Sequence, residues 1–424
     1  GHRVSGPVPG GLQQQGRAHQ DLVRSGDVER LDAVVQRDEH LVCGHVPTVA
    51  GRGYGVNDRH PTYSAIGQTG LMADFDWSER ASRAERAIVR RHLRPIAGVL
   101  PGTRLGRIHW PRRRPAPPFP WHYWWQAHLL DCLVDAQLRA PRPRRAAAIA
   151  AVTRSVRVRN AGTWINRYYD DIAWLGLAVQ RAGALSGRAG SSAVSSICAQ
   201  LGRGWTEDGG GGIWWRRADN YKATPANGPA AILLARTGQV GFAVAIADWM
   251  ADTLIDPDTG LVRDGVRIGP DGEISEVDKR IFSYCQGVHL GACVELAQRD
   301  GHQRWLDRAV AIVDAVRLRY ADQEGVLPGS GGGDGGLFAG ITARYLADAA
   351  LRRPELADAA GQLVLANAEA AWAGRMEVGE GPVFSAEWRS PAPQPGPGVA
   401  EADLSVQVGG WMLMEAAARV QRAG

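Results

Sequence analysis

Lysine is almost missing from this chain. Only Lys222 and Lys279 occur in 424 residues, so nearly all of the 49 basic side chains are arginine. The cations are spread out, and the one dense run, Arg112-Arg113-Arg114, lies in a short Pro-rich loop. The net charge of +5 therefore reads as compositional, and no nucleic-acid partner is expected. Apolar runs long enough to cross a bilayer are also missing, which excludes a helical membrane span. The opening residues, Gly1-His2-Arg3-Val4-Ser5-Gly6-Pro7, lack the apolar core of a secretory signal, so a cytoplasmic location is expected. The five cysteines (Cys43, Cys132, Cys198, Cys285 and Cys293) include no CxxC pair, and their odd number argues against a disulfide framework. Eleven histidines show no HExxH or zinc-finger spacing, so neither a metal nor another cofactor is expected. Strand signals are nearly absent as well: few Val/Ile/Thr alternations occur, and no Asn-Gly turns join such runs.

What is present is helix after helix. Residues 1–71 stand apart, with no Met and little periodicity, and read as a poorly ordered or non-native extension. From Met72 onward, six segments open with a polar, Gly-rich or aromatic loop and continue as a strongly apolar helix. They begin near Trp121, Asp170, Asn227, Tyr284, Asp334 and Asp403, roughly 50–70 residues apart. Amphipathic stretches alternate with them, around 143–158, 191–201, 241–254, 302–320 and 356–374. One buried and one half-exposed helix per unit means stacked hairpins. Six of them close an all-α (α/α)6 barrel over residues 72–424, with an open solenoid as the alternative. In such a barrel the inner helices run parallel. Their N-termini, and the Gly/Pro loops before them, then gather on one face, where binding and catalysis are usually placed.

Asp170-Asp171 falls on that face. Adjacent carboxylates repel, so they seldom stabilise a fold by packing together. One reading is a helix cap, which suits Asp at an N-terminus. The other is a catalytic pair, because repulsion raises one pKa and sets a protonated acid beside an ionised carboxylate. Fifteen Trp against six Phe favours a sugar-binding cleft, since Phe fills a core without needing an N–H partner.

The motifs also carry a resemblance. Tyr169-Asp170-Asp171-Ile172-Ala173-Trp174-Leu175 is similar to the YDD signature of glycoside hydrolase family 76, the endo-α-1,6-mannanases. Gly210-Gly211-Gly212-Ile213-Trp214-Trp215, Tyr221-Lys222-Ala223-Thr224-Pro225-Ala226-Asn227-Gly228 and Tyr284-Cys285-Gln286-Gly287-Val288 resemble further elements of that family, in family order. Cys285 and Gly228 depart from it, where many members have Asn and Glu. The segments His122–Leu133, Gly331–Arg344 and Asp403–Glu415 are most similar to actinobacterial members. The resemblance implies an (α/α)6 barrel and a metal-free retaining hydrolase of α-1,6-mannan or mannose-containing oligosaccharides. It implies Asp170 as nucleophile and Asp171 as general acid/base. The expected substrate-binding residues are Trp124, Trp125, Gln126, Tyr169, Trp214, Trp215, Lys222, Asn227, Tyr284, Gln286, Asp334 and Phe338. The alternatives are a non-catalytic glycan-binding protein and a transglycosidase-like processor of cell-wall glycans on the same barrel. A sugar 2-epimerase would need His bases on opposite walls, and only His122, His128 and His289 are plausibly placed for that.

Overall fold

The computed structural model describes residues 76–111, 121–187, 191–379, 381–396, 399 and 402–423. The expected N-terminal extension, and residues 112–120 of the Pro-rich loop, lie outside them. Twelve α-helices run through the described residues. Six form an inner ring: α2 (Tyr123–Arg139), α4 (Tyr169–Ala184), α6 (Thr224–Arg236), α8 (Ser283–Arg299), α10 (Phe338–Arg352) and α12 (Leu404–Gln421). Each packs on the next, and α12 packs back on α2, so the ring is closed. The outer helices are α1 (Trp77–His92), α3 (Pro143–Arg159), α5 (Ser192–Arg203), α7 (Val240–Leu254), α9 (Gln303–Ala315) and α11 (Ala357–Ala373).

Sequence explains which helix goes where. In α12 every residue from Leu404 to Ala418 is buried, as an all-round apolar helix must be. Helix α1 buries one stripe, Trp77, Ala81, Ala84 and Ile88, and begins with the Asp76 carboxylate capping the Ser78 N–H at 2.8 Å. It lies on α12, so the sixth hairpin joins the two ends of the domain, and the Trp77 amide donates to Gln421 at 2.8 Å. Close approach of α10 and α12 depends on glycine. A Cβ on Gly340 of α10 would stand 2.7 Å from the Gly409 carbonyl of α12, closer than any real contact.

Every inner helix carries an arginine in its last turn: Arg139, Arg181, Arg236, Arg299, Arg352 and Arg419. Cations suit the negative end of the helix dipole, and here acids one turn up the ring answer them. Arg181 and Arg344 both bridge Asp131 and Asp135, Arg139 holds Glu415 at 2.8 Å, and Arg236 and Arg352 each reach Glu295 at 2.7 Å. Burial alone would raise the Asp135 carboxyl, but Arg181 and Arg344 outweigh it and hold it well below its ordinary value. This network fills the end of the barrel opposite the mouth.

The near-absence of strands holds for the barrel but not for its mouth. There β3 (Tyr221–Ala223), β4 (Arg263–Ile268) and β5 (Ile274–Ile281) form an antiparallel sheet, continuous through the turn around Gly269–Gly272. Arginine and acid residues interrupt the apolar positions of β4 and β5, because one face of this ribbon meets solvent. Two short antiparallel pairs, β1 (Leu93–Arg94) with β2 (Leu105–Gly106) and β6 (Met376–Val378) with β7 (Gly381–Val383), complete the fold.

Candidate active site

The loops at the mouth are held by amides placed at one recurring position. The fourth residue of α2, α6, α8 and α12 is Gln126, Asn227, Gln286 and Gln407. Each bonds both the N–H and the C=O of a single loop residue: Gly106, Ile213, Val262 and Phe384 respectively. A side-chain amide thereby pairs with the backbone as a β partner would, and the loop's buried polar groups are satisfied. Lys222 does related work from β3. Its ammonium is buried and donates to the carbonyls of Thr206, Asp208 and Gly211, binding up the glycine-rich loop, while desolvation lowers its pKa to about 8. Replacing Asn227 by Ala would strand both polar groups of Ile213. Urea denaturation should show a loss of at least about 1–3 kcal/mol.

With those loops in place, the first turn of α4 carries Asp170 and Asp171. Asn166 begins the approach: its Oδ1 accepts the Tyr168 N–H at 2.9 Å, and its Nδ2 donates to Asp171 Oδ2 at 2.6 Å. Asp170 is held from the other side. Trp215 Nε1 donates to its Oδ2 at 2.9 Å, and the Asp171 amide donates to its Oδ1 at 2.8 Å. The backbone pairing of Tyr168 with Arg216 brings Trp215 there. Burial raises the Asp170 carboxyl to about 7; the two donors oppose that rise and the charge of Asp334 adds to it. On the side of α2, the charge of Asp171 adds to burial in raising the Tyr123 phenol.

A third acid completes the floor. Asp334, in the Gly331–Gly336 segment, accepts from Trp125 Nε1 at 2.8 Å and Trp124 Nε1 at 3.2 Å. The Trp124 ring lies 6.5 Å from both Trp174 and Phe338, and Phe338 packs 4.6 Å from Tyr284, making an aromatic wall. Behind it Asp264 is buried. Burial raises its carboxyl, although hydrogen bonds from Tyr284 and Tyr221 oppose that.

The expected site residues thus separate into groups. Asp170, Asp171, Trp124, Trp215, Asp334 and Phe338 meet at the mouth. Trp125 and Tyr284 are buried behind them, with Trp125 stacked at 4.2 Å on His122. Tyr169 is buried against Gly204, outside the cleft. Trp214 points away from its neighbour Trp215, toward Lys222 and a rim cavity of about 330 Å³ shared with Asp208, Asp219 and Asn220. Gln126, Lys222, Asn227 and Gln286, also expected to bind sugar, have all their donors committed to backbone carbonyls. Asn166 and Asp264 were not anticipated. Asn three residues before a helix start was a readable signal for the first; Asp264 lies in a strand that helical periodicity cannot reveal.

Comparison with known proteins agrees with this geometry. The family model for glycosyl hydrolase family 76 matches residues 80–415. The GH76A α-1,6-mannanase from Salegentibacter sp. HEL1_6 is 30% identical, with a TM-score of 0.72 over 81% of this chain and 100% of that one. An inactive variant of that enzyme, with two consecutive aspartates replaced by asparagine, is known in complex with α-1,6-mannotriose. The Lin0763 protein from Listeria innocua is 26% identical over 82% of this chain and 99% of that one, with a TM-score of 0.72. Dfg5 from Chaetomium thermophilum, in complex with glucosamine, shares the fold at 18% identity and a TM-score of 0.66, covering 84% of this chain and 93% of that one. No curated protein sequence matches. The chain belongs to glycosyl hydrolase family 76 and is a glycoside hydrolase with the (α/α)6 barrel of that family.

Proposed function

We propose that the enzyme cleaves α-1,6-linked mannan or mannose-containing glycans with retention, through Asp170 and Asp171. The observation that carries this reading is the acid pair itself. Two adjacent carboxyls open on the mouth, and each is held by a different side chain, Trp215 or Asn166. The Salegentibacter enzyme supports the substrate, since its variant lacking two consecutive aspartates is inactive and takes up α-1,6-mannotriose.

Retention needs one ionised carboxylate and one acid. Interacting neighbours titrate as a pair, so the proton that burial places on Asp170 belongs to the dyad. In the productive form it lies on Asp171, and Asp170 is ionised, with both oxygens fixed by N–H donors for attack on the anomeric carbon. Asp171 then protonates the leaving oxygen and afterwards deprotonates the incoming water. The cationic transition state forms over a floor that also contains Asp334, while Trp124 and Phe338 offer faces to the sugar ring.

Incubation with α-1,6-mannan should release new reducing ends, and NMR should show the α-anomer first. A β-anomer formed first would sink the retaining mechanism, and inert mannan would sink the substrate. The pH profile follows from the dyad. Its last proton leaves near pH 7, so kcat/KM should fall as pH rises through that value. Asp334→Asn removes a like charge, which favours ionised Asp170, and should move this alkaline limb to lower pH. A limb that stays put would show that Asp334 does not act on the pair.

A further inference from the structure

The rim cavity beside Trp214 takes no part in the chemistry of the acid pair, yet its walls are firmly built. Its volume of about 330 Å³ lies at the small end of the range of roughly 300–1,000 Å³ for small-molecule sites. The glycine-rich loop forms one wall through Asp208, and the turn joining β4 to β5 forms another through Gly272. These walls are tied together: the Gly209 amide donates to the Gly272 carbonyl at 2.8 Å, and the Ile268 amide donates to the Asn220 carbonyl at 2.8 Å. From within, the fully buried Lys222 ammonium stands 4.5 Å from the centre of the Trp214 ring.

The polar groups around this cavity are not all used by the protein itself. The other indoles on this loop, Trp205, Trp215 and Trp249, donate to Glu207, Asp170 and the Gly209 carbonyl. Among the described residues, no acceptor meets Trp214 Nε1. Asn220 accepts from Arg267 through Oδ1 at 3.3 Å, which leaves its Nδ2 donor available. Asp208 takes the Thr206 hydroxyl on Oδ2 at 2.8 Å, and its Oδ1 faces Gly272, where a Cβ would stand 3.2 Å away. Asp219 is committed, to Arg216 through Oδ2 and to the Asn220 amide through Oδ1. What remains is an aromatic ring, two neutral donors and one charged acceptor. Asp208 repels an anion there, and Lys222 behind the indole repels a cation. A neutral pyranose suits the set, because each hydroxyl both donates and accepts.

We propose that the cavity is a second, non-catalytic sugar site holding one neutral hexose unit of the glycan being cut, with Trp214 as its platform and Asp208 and Asn220 as its hydrogen-bonding pair. This rests on the mannan reading of the cleft. Trp214 and Trp215 are consecutive residues facing opposite sides, so the two sites share a wall. Trp215 holds Asp170 on one side, and Trp214 receives a sugar on the other. A unit bound there raises the effective concentration of the polymer at the cleft and leaves the bond-breaking step unchanged.

The test uses the whole chain with α-1,6-mannotriose, linear α-1,6-mannan and a mannan carrying α-1,2-mannosyl branches. Asn220→Ala removes an exposed amide, and Trp214→Phe keeps a ring while dropping the N–H. Each should raise KM on a polymer by about tenfold at unchanged kcat. The Asn220 variant should cut mannotriose at the wild-type rate. A higher KM on linear mannan places a distant backbone unit in the cavity; one confined to the branched polymer places a side branch there. In the chain made inert by Asp170→Asn with Asp171→Asn, calorimetry with mannotriose should count two sites, and adding Trp214→Phe should leave one. An unchanged polymer KM in both variants, or a single site in the inert chain, overturns this proposal alone. A fall in kcat on mannotriose and polymer alike assigns Trp214 to the support of Trp215 and also overturns it. Mannan left uncut by the wild type overturns the mannan reading together with it.

Discussion

Asp171→Asn is expected to lower kcat/KM on α-1,6-mannan by roughly 10²–10⁴-fold while leaving the fold intact. Asparagine keeps the size of the side chain and can still accept the Asn166 amide through Oδ1, so the first turn of α4 stays in place. What disappears is the proton for the leaving sugar. An aryl α-mannoside whose leaving group needs no proton should recover much of the first step, and azide should then trap the glycosyl-enzyme as the α-mannosyl azide. Asp170→Asn should be at least as damaging, with no recovery on the activated substrate, because the amide cannot form the ester intermediate. Azide occupying the space there would give the β-mannosyl azide. Full activity in either variant would remove that residue from the chemistry, and the opposite azide products would exchange the two roles.

Arg344→Met should cost about 3–5 kcal/mol of stability in guanidinium denaturation, since removing one member of a buried ion network leaves its partners unpaired. Arg344 bridges Asp131 and Asp135 from α10, and Met leaves those two acids of α2 to Arg181 alone. Replacing Arg344 and Asp135 together by apolar residues should restore part of the loss, because the stranded charge goes with its partner. A single variant as stable as wild type would show that solvent reaches this end of the barrel. The sign with pH is fixed by the same pairing. The pKa of Asp135 is depressed on folding, so its contribution is present above the ordinary carboxylate value of about 4 and is lost as pH falls below it.

The barrel was readable because two periodicities alternate along the chain. Apolar runs beginning near Asp170, Tyr284 and Asp403 became α4, α8 and α12, each within a residue of the expected start. Asp170 and Asp171 were visible because adjacent acids before an apolar helix are chemically conspicuous. The amides were harder to read. Gln126, Asn227 and Gln286 offer one acceptor and two donors, which suit a sugar hydroxyl and a peptide group equally well. Only their depth, one turn inside the ring, decides for the peptide. The same holds for Lys222, which the resemblance places among the sugar-binding residues and whose ammonium is surrounded by three carbonyls. Trp214 and Trp215 differ because extended neighbours point to opposite sides, and their sequence shows no strand to say so.

The arginine-and-acid network opposite the mouth also decides how a polymer meets this enzyme. Glu295, Glu415, Asp135 and Arg344 are buried there, so the barrel is a cup and not a pipe. If the proposed mannan is the substrate, it would lie across the rim with one linkage dipped inward, and both fragments would leave by the opening through which the chain came.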